Sequence, residues 1–334
     1  MKAWELGDQT GIGSLRMTER DDPYMGYGDA LLSVKACALN HRDLMIARNR
    51  YGSRSKPPTR IALHDFAAEV IAVGEGVANV APGDLVGAPH YINWISGDCF
   101  PEYRSHDLGN SIDGVLAERI ALPARSLFKY PSKLTVEQNA TLVAAGTAVW
   151  STVQKLGQIK AGDTVLSLGT GGVSVFAMQI AKMNGARTVI TSSSDEKLER
   201  MRALGADVTV NYRTNPDWEK EVLEKTGGVD IVVETAGVGT LGKSMACCAP
   251  NARIGLIGAL AQGEQPSLGG LMGKNLILKG ITTGSRTMME EFVVAIEANG
   301  FEPVIDRVFD FDQAREAYEH LDSGTHIGKV VIKL

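Results

Sequence analysis

The feature of this chain that most constrains its fold is a series of short apolar segments between residues 165 and 283, separated by segments with helical periodicity. Apolar runs of this length without polar alternation are typical of strands buried on both faces of a parallel sheet. Their alternation with helices predicts a doubly wound α/β domain. The strand-like runs are VLSLG (165–169), TVITS (188–192), VTVNY (208–212), DIVVE (230–234), RIGLIG (253–258) and LILKGITT (276–283), and the helical segments between them are 173–183, 196–203, 218–225 and 239–247.

The first of these strands runs directly into a glycine-rich turn with the spacing GxGxxS. Gly169 allows the tight turn, Gly171 lets the backbone approach a pyrophosphate, and the small side chain of Ser174 lets the following helix pack closely on the strand. The first amides of that helix then face the phosphates. This context predicts a Rossmann-type βαβ unit that binds NAD(P) through Gly169, Thr170, Gly171, Gly172, Val173 and Ser174.

The end of the second strand indicates which dinucleotide is bound. NAD-binding units usually have Asp or Glu there, whereas this chain has Ser192 and Ser193. A hydroxyl can donate to a ribose 2′-phosphate, and Lys197 one helical turn later can supply positive charge. The serines can equally cap the next helix, and Asp195 argues against a phosphate. We expect NADP(H), with NAD(H) as the alternative, and Tyr212 as a further contact.

The rest of the chain has other patterns. Residues 1–122 are β-rich, with strand-like segments at 30–34, 67–73 and 115–122 and turn clusters at Gly74-Glu-Gly76, Pro82-Gly-Asp84 and Pro57-Pro58. Strands without regular helical alternation favour an antiparallel barrel or sandwich. Further along the chain, helices are predicted at 139–153, 288–298 and 311–321, and a last strand at 329–334.

Composition excludes several classes of function. The chain has 334 residues, 44% of them hydrophobic, and a formal net charge of −5. This charge gives no attraction to nucleic acid or anionic membranes, and no apolar run reaches the ~18–20 residues of a membrane span. The N-terminus lacks the pattern of a signal or transit peptide. The four cysteines form no CxxC pair, so we expect a cytoplasmic enzyme with reduced thiols.

Several motifs occur in a recognisable order: NHRDL (40–44), LHDFAAEVIAVGEGV (63–77), APGDLV (81–86), GTGGVS (169–174), RALGADVTVNYR (202–213), VDIVVETAG (229–237) and HIGKVVI (326–332). Over essentially the whole chain, this order resembles the medium-chain dehydrogenase/reductase superfamily, which includes zinc alcohol dehydrogenases and quinone oxidoreductases. The resemblance implies a GroES-like catalytic domain at 1–122, completed by 286–334, around a Rossmann domain at 123–285. It also implies an active site in the cleft between the domains, and a homodimer in which the edge strands LILKGITT pair.

The positions of the zinc ligands in the resembled alcohol dehydrogenases hold other residues here. The first cysteine position is Asn40, the His-Glu pair is His64-Asp65, and the second cysteine position falls near Ala144. A catalytic zinc needs three protein ligands and an open position. A structural zinc needs four close cysteines, but residues 87–115 contain only Cys99. We therefore expect no zinc and a likeness to the quinone oxidoreductase-like branch.

Candidate catalytic residues follow from the same resemblance and are Asn40, His41, Asp43, Tyr51 and His64. Each also has a structural interpretation, since a histidine before a buried strand is often only hydrogen-bonded and Asp43 can cap a helix or pair with Arg42. Further cofactor contacts are expected from Asn40, Thr147, Gly258, Gly284, Ser285 and Arg286, although the glycines can simply form turns.

Without a metal, the charge that develops on the substrate oxygen during hydride transfer must be stabilised by hydrogen-bond donors. This suits reduction of a quinone or an α,β-unsaturated carbonyl, in which the charge is delocalised. The alternatives are a zinc-independent alcohol dehydrogenase and, in another class, a non-catalytic NADPH-binding sensor or interaction protein. The expected partners are a small carbonyl, quinone or alcohol substrate and a second copy of the chain.

Overall fold

The computed structural model describes residues 1–51, 59–131, 133–259, 262–263 and 265–334. The predicted turn at Pro57-Pro58 lies outside them. The chain divides into two compact units, Met1–Thr147 with Gly284–Leu334 (unit 1) and Ala148–Thr283 (unit 2). Residues 123–147, placed by the sequence with the second domain, pack here with unit 1. Among the described helices, none combines the length and the apolar character that crossing a membrane requires.

Unit 1 is built around a sheet that is antiparallel except at one edge. In the described residues its strand order is β14-β15-β3-β4-β5-β7, with β6 paired to β3, and β1 and β2 form a separate hairpin. The long central strands β3 and β4 bury more than half of their residues and contribute to the apolar core of the unit. The strands of its first part are β1 (Lys2–Glu5), β2 (Arg16–Glu19), β3 (Asp29–Ala38), β4 (Asp65–Val73), β5 (Leu85–Gly87), β6 (Arg119–Pro123) and β7 (Phe128–Lys129).

The helices of this first part are α1 (His41–Ala47) and α2 (Val136–Ala140). The sequence predicted one helix at 139–153, but the structure has π-helical turns at Leu142–Gly146 and Ser151–Leu156 on either side of α3 (Thr147–Trp150). The hydroxyls of Thr147 and Thr152 donate to the carbonyls four residues earlier. Such bonds compete with the regular ladder and bend helices.

Unit 2 contains a parallel sheet with the order β10-β9-β8-β11-β12-β13 within the described chain. This is the order of a doubly wound dinucleotide-binding sheet, as the alternating pattern predicted. Its strands are β8 (Thr164–Leu168), β9 (Arg187–Ser192), β10 (Val208–Asn211), β11 (Val229–Glu234), β12 (Cys248–Leu256) and β13 (Ile277–Gly280), and its helices are α4 (Gly172–Met183), α5 (Asp195–Ala203), α6 (Trp218–Thr226), α7 (Val238–Ala246) and α8 (Gly269–Gly273).

The C-terminal segment returns to unit 1. It comprises α9 (Arg286–Asn299), β14 (Ile305–Asp310), α10 (Ala314–Asp322) and β15 (Lys329–Lys333). Strand β15 pairs antiparallel with β3, placing Val331 opposite Ala38. This register brings the start of β15 to the end of β3, just before α1. The core of unit 1 is therefore closed by residues from distant parts of the chain.

Two predicted strands differ from the observed ones. The segment 115–122 enters a strand only at Arg119, because Val115 donates its amide irregularly to the carbonyls of Ala62 and Leu63. The run LILKGITT forms only the four-residue strand β13.

Candidate active site

The first group of predicted residues lies where α1 begins. Asn40 precedes the helix in extended conformation, and its backbone amide donates to Asp43 Oδ2 over 2.7 Å. Asp43 thereby caps the first turn of α1. Its other oxygen, Oδ1, lies 3.2 Å from His64 Nδ1. Asp43 therefore ties α1 to the residue before β4, and the predicted pairing with Arg42 is not the one observed.

The side chain of Asn40 faces the start of β4. Its Nδ2 donates to Asp65 Oδ2 over 2.8 Å and lies 3.4 Å from His64 Nε2. Its Oδ1 accepts from Lys329 Nζ over 2.7 Å. The second oxygen of Asp65 accepts from the amide of Ala144 over 3.0 Å. The Asn40 cluster, as we name it, comprises Asn40, Asp43, His64, Asp65 and Lys329.

Lys329 brings a buried positive charge to this cluster. The residue is 3% exposed and Asp65 is fully buried. The ammonium donates to Leu39 O over 2.8 Å, to Asn40 Oδ1 over 2.7 Å and to Asp65 Oδ2 over 3.4 Å. Burial lowers the pKa of Lys329, and the charge of Asp65 opposes that change. The three acceptors match the three protons of an ammonium group, so the buried charge is fully hydrogen-bonded.

The protonation states of Asp43 and His90 follow from their burial and from the charges around them. Burial alone raises the pKa of Asp43, but the charge and hydrogen bond of His64, with the charge of Arg42, hold that pKa below its usual value. His90 packs edge-on against His64 with ring centroids 5.2 Å apart. Burial, followed by the charges of Arg42 and His64, lowers the pKa of His90 far below its usual value. Asp43 is thus a carboxylate and His90 a neutral ring at neutral pH.

The residue before His64 is held in a strained conformation. Leu63 has a φ of 65°, a left-handed backbone that costs a non-glycine residue about 1–2 kcal/mol. Its side chain is buried in the core of unit 1, and its carbonyl accepts from the amide of Val115 over 3.2 Å. These contacts hold the backbone turn that directs His64 into the cluster.

This set of donors does not fit a catalytic zinc ion, which takes three protein ligands and leaves a fourth position open. Asn40 presents its NH₂ group to His64 Nε2 and its oxygen to Lys329. Ala144 offers a backbone amide in place of a thiolate. The ammonium beside Asn40 repels a divalent cation. Across the described ranges, no group of three or more His, Cys, Asp or Glu side chains is arranged to hold a metal ion.

The remaining predicted catalytic residues lie beside the cluster. His41 is an exposed residue on α1. Partial desolvation of its ring, followed by the charge of Arg48, lowers its pKa. Tyr51 is half-buried, and the guanidinium of Arg42 lies 4.9 Å from its ring centroid. Arg42 pairs with Asp107 over 2.8 Å. The structure thus brings Asn40, Asp43 and His64 together, while Tyr51 belongs with Arg42.

In unit 2, the glycine turn has the geometry that dinucleotide binding requires. Gly169 has a φ of 83°, and a Cβ placed on Gly171 meets no atom within 4 Å. Helix α4 starts at Gly172, and its first regular bond is donated by Val175 to the Gly171 carbonyl. The amides before Val175 are free of intrahelical partners by geometry. The turn therefore offers open space and phosphate-binding amides, which fits a dinucleotide.

Ser174, the departure from the usual fingerprint, has a packing role. Its residue is 2% exposed, and its hydroxyl donates to the Leu168 carbonyl over 2.6 Å. Ser167 donates in turn to the Ser174 carbonyl over 3.3 Å. Helix α4 is thus bonded directly to the end of β8, the close approach that a small residue at 174 allows.

The serines after β9 have mixed roles. Ser194 caps α5 by accepting from the amide of Lys197, and Ser192 Oγ accepts from the amide of Ser194, each over 3.3 Å. The capping interpretation therefore applies to Ser194. Ser193 and Lys197 are half-buried and Tyr212 is 44% exposed. Asp195, the residue that argued against a phosphate, accepts through Oδ1 from the side-chain Nδ2 of Asn211 over 2.8 Å.

Two further predicted glycines are required by packing. A Cβ on Gly258 would lie 2.1 Å from the Thr235 carbonyl oxygen. A Cβ on Gly284 would lie 2.8 Å from the Thr147 Cβ. Both positions thus need glycine whether or not a ligand is bound.

The other predicted cofactor contacts, Thr147, Ser285 and Arg286, are engaged within unit 1. The Thr147 hydroxyl donates to the Val143 carbonyl. Ser285 is fully buried and caps α9. Arg286 donates to the Arg125 carbonyl over 2.8 Å, and its backbone amide donates to the Trp94 carbonyl.

Among the buried charged residues that the sequence motifs did not single out, two shape the regions described above. One is Lys329, whose signal was a lysine in the otherwise apolar strand KVVI. The other is Glu234 at the end of β11, which is fully buried. Its carboxylate accepts from the amides of Ala236 and Gly237 and from the hydroxyls of Thr240 and Ser244. Glu234 shapes the loop at the carboxyl end of the sheet, the edge where such sheets bind ligands.

Comparison with known proteins finds one family model for each of the two kinds of domain described above. The family model of the alcohol dehydrogenase GroES-like domain matches residues 26–132, and the model named zinc-binding dehydrogenase matches residues 172–298. A zinc-type alcohol dehydrogenase-like protein of Schizosaccharomyces pombe is 39% identical, over 97% of this chain and 96% of its own length.

Solved structures give the same result. A protein of Sinorhizobium meliloti 1021 that is assigned as an alcohol dehydrogenase has a TM-score of 0.91 and 36% identity, covering 100% of both chains. An NAD-dependent alcohol dehydrogenase has a TM-score of 0.89 and 32% identity, also over 100% of both chains. Because both family models and these relatives match, the chain is an alcohol dehydrogenase-like oxidoreductase and belongs to the medium-chain dehydrogenase/reductase superfamily.

Proposed function

We propose that this protein is an NADP(H)-dependent, zinc-independent oxidoreductase that transfers hydride to a quinone or an α,β-unsaturated carbonyl compound. The observation that carries the proposal is the Asn40 cluster. At the positions of zinc ligands, the chain has a side-chain amide, a buried histidine and a backbone N–H, and the ammonium of Lys329 binds the amide oxygen of Asn40. Because these groups are not a set of zinc ligands, we infer that the charge on the substrate oxygen is stabilised by hydrogen bonds rather than by a Lewis acid.

The preference for NADP(H) rests on the end of β9. Ser192 stands where an acid would bond the ribose of NAD, and the nearby Asp195 is held by Asn211. Lys197 lies on the first turn of α5. Against this, one relative is described as NAD-dependent, so both cofactors must be assayed. The matched variants Ser192→Asp and Ser192→Asn test the proposal, because their side chains have the same size and only the first adds a charge that repels a 2′-phosphate.

When bound, the reduced nicotinamide supplies a hydride to the substrate carbon. The residues of this chain then have to accommodate the negative charge that appears on the substrate oxygen. Delocalisation into an enolate or a hydroquinone lowers the demand on each donor, so the reaction needs no Lewis acid. A saturated alcohol instead requires a base to take the hydroxyl proton, and Asp43 is already committed to His64 and to the α1 cap.

The test is a steady-state assay of the purified protein with 1,2-naphthoquinone, 2-cyclohexen-1-one and a panel of alcohols, each with NADPH or NADH. We expect turnover of the first two with NADPH, no loss of activity with a chelator, and less than stoichiometric zinc by elemental analysis. Turnover of alcohols alone, or activity that chelation removes and zinc restores, contradicts the proposal. Ser192→Asp is expected to lower the preference for NADPH over NADH by about tenfold or more, and Ser192→Asn, which has the same size without the charge, to lower it much less.

The second candidate is a zinc-independent alcohol dehydrogenase. The descriptions of the relatives favour an alcohol dehydrogenase, although one of them is described as zinc-type. In that case alcohols are oxidised in a metal-free preparation, and the rate rises with pH as the hydroxyl proton is lost. The direction of the pH dependence separates the two candidates.

We further propose a cytoplasmic homodimer formed along the edge of the unit 2 sheet. Strand β13 lies at that edge, and its Ile277 is 49% exposed. An open apolar edge favours pairing with a second copy, and none of the four cysteines forms a disulfide, which fits a reducing compartment. Sedimentation equilibrium at micromolar concentration tests the assembly, which a monomeric mass contradicts.

A further inference from the structure

We propose that Glu234 is a positioning residue for the dinucleotide, and that its buried carboxylate favours binding of the oxidised over the reduced nicotinamide. The inference rests on the proposed function only in that unit 2 must bind a nicotinamide cofactor. Glu234 is the last residue of β11 and is fully buried. The four groups that donate hydrogen bonds to its carboxylate all belong to unit 2.

Glu234 lies where the two halves of the unit 2 sheet meet. Strands β8 and β11 are neighbours, with Ile231 opposite Val165, and the strand order reverses between them. Sheets of this kind bind a dinucleotide across the crevice at that point, one mononucleotide to each half. The glycine turn after β8 belongs to the half that takes the adenosine and the pyrophosphate. The loop after β11 therefore belongs to the half that takes the nicotinamide.

The carboxylate of Glu234 holds this loop in place. Its Oε1 accepts from the amides of Ala236 and Gly237, each over 3.0 Å, and from the hydroxyl of Thr240 over 2.7 Å. Its Oε2 accepts from the hydroxyl of Ser244 over 2.5 Å. Gly237 immediately precedes α7, so the carboxylate fills the N-terminal end of that helix. None of the four donors carries a charge, so these bonds fix the carboxylate without neutralising it.

The same loop is bonded to the glycine turn. The hydroxyl of Thr235 donates to the carbonyl of Leu168 over 3.1 Å, and Leu168 directly precedes Gly169. Thr235 and Ala236 are only half-buried, so the loop reaches the surface beside the turn. A dinucleotide bound at the turn therefore lies close to the loop, with the carboxylate of Glu234 directly behind it.

The charge of this carboxylate distinguishes the two redox forms of the cofactor. A nicotinamide ring is neutral when reduced and carries one positive charge when oxidised. A carboxylate that is not neutralised attracts the oxidised ring, and burial keeps that attraction from being screened by salt. The phosphates of the cofactor are the same in both forms, so they do not affect the comparison. Glu234 thus stabilises the positive charge that the ring gains when the hydride leaves.

The test compares the binding of the two redox forms. Glu234→Gln removes the charge but keeps an oxygen for the amides of Ala236 and Gly237, and its NH₂ group can donate to the hydroxyl of Ser244. We expect calorimetry to show that the dissociation constant of NADP⁺, divided by that of NADPH, rises about three- to tenfold in this variant. The fragment 2′,5′-ADP, which lacks the nicotinamide, should bind to it as tightly as to the wild type. Asp230→Asn is the matched control, because it makes the same change near the opposite end of β11 and should leave the ratio unchanged.

An unchanged ratio in Glu234→Gln overturns the proposal, as does an equal weakening of both redox forms or an equal change in Asp230→Asn. If Glu234→Gln does not fold, Thr235→Lys and Thr235→Met carry the comparison. Their side chains are similar in length and only the lysine adds a positive charge to the loop, so only Thr235→Lys should raise the ratio.

The same ratios are measured with NAD⁺ and NADH, so the result does not depend on which dinucleotide binds more tightly. A wild type that binds both redox forms but reduces no quinone or enone refutes the proposed function and leaves the role of Glu234 intact.

Discussion

The replacement of Lys329 by methionine tests whether the Asn40 cluster is held by a buried charge pair. Methionine keeps much of the volume but removes the ammonium, so Asp65 remains as a buried carboxylate without its cation. Breaking one side of a buried pair costs about 3–5 kcal/mol. The carbonyl of Leu39 and Oδ1 of Asn40 also lose their donor. For a domain of this size, the loss corresponds to a fall in Tm of roughly 6–20 °C.

The double variant Lys329→Met/Asp65→Asn sharpens the measurement. If the charges interact, the double variant is less destabilised than the sum of the two single variants by about 1–3 kcal/mol. The assay is urea unfolding followed by tryptophan fluorescence and by circular dichroism, since two probes reveal whether the units unfold separately. Lys333→Met is the control, because Lys333 lies on the same strand but is 59% exposed beside Glu137.

Additive single variants, or a Lys329→Met protein within about 0.5 kcal/mol of the control, would refute the reasoning. The first result would show that the ammonium and the carboxylate do not interact. The second would show that the ammonium is dispensable for holding Asn40 and Asp65.

Three further predictions concern other parts of the structure. Arg60 is 2% exposed and its guanidinium nitrogens lack partners among the described residues. Arg60→Met should therefore raise the free energy of unfolding, measured in urea, by about 1–2 kcal/mol, and a lower free energy of unfolding contradicts this. Gly171→Ala should leave Tm unchanged yet weaken NADPH binding by fluorescence titration about tenfold, whereas Gly258→Ala should lower Tm because its Cβ would lie 2.1 Å from a carbonyl oxygen. The folded pKa of Asp43 lies below its unfolded value near 3.9; its stabilisation is therefore complete above that value and is lost as pH falls through the folded pKa. The Tm difference between wild type and Asp43→Asn should shrink on acidification, and a constant difference would count against the His64 pair.

The sheet of unit 2 could be predicted because each of its strands carries a local signal. The runs at 165–169 and 230–234 match β8 and β11 to within one residue. By contrast, β12 begins at Cys248 rather than at residue 253, because the segment CAPNA contains proline and asparagine and has no continuous apolar pattern. The predicted start of this strand was wrong because pairing with neighbouring strands outweighs the local propensity of the segment.

The candidate site was only partly predictable for a different reason. The resemblance identified Asn40, Asp43 and His64, and the structure brings them together. It did not identify Lys329, although that residue supplies the charge of the cluster. The contact between Lys329 and Asn40 spans 289 positions in the chain, and no periodic pattern encodes a pairing over that distance. Arg42 was noted only as a partner for Asp43, since the sequence does not show that Asp107 lies beside it.

The long span between Asn40 and Lys329 has a consequence for biosynthesis. All of unit 2 lies between these two residues in the chain, so the ribosome must complete unit 2 before the ammonium of Lys329 exists. Until then a nascent chain carries Asp65 without its cation and β3 without β15. Since domains generally fold as units during synthesis, unit 2 can fold early while unit 1 waits. The interval in which unit 1 lacks its last strand is therefore set by the time taken to translate the inserted unit 2.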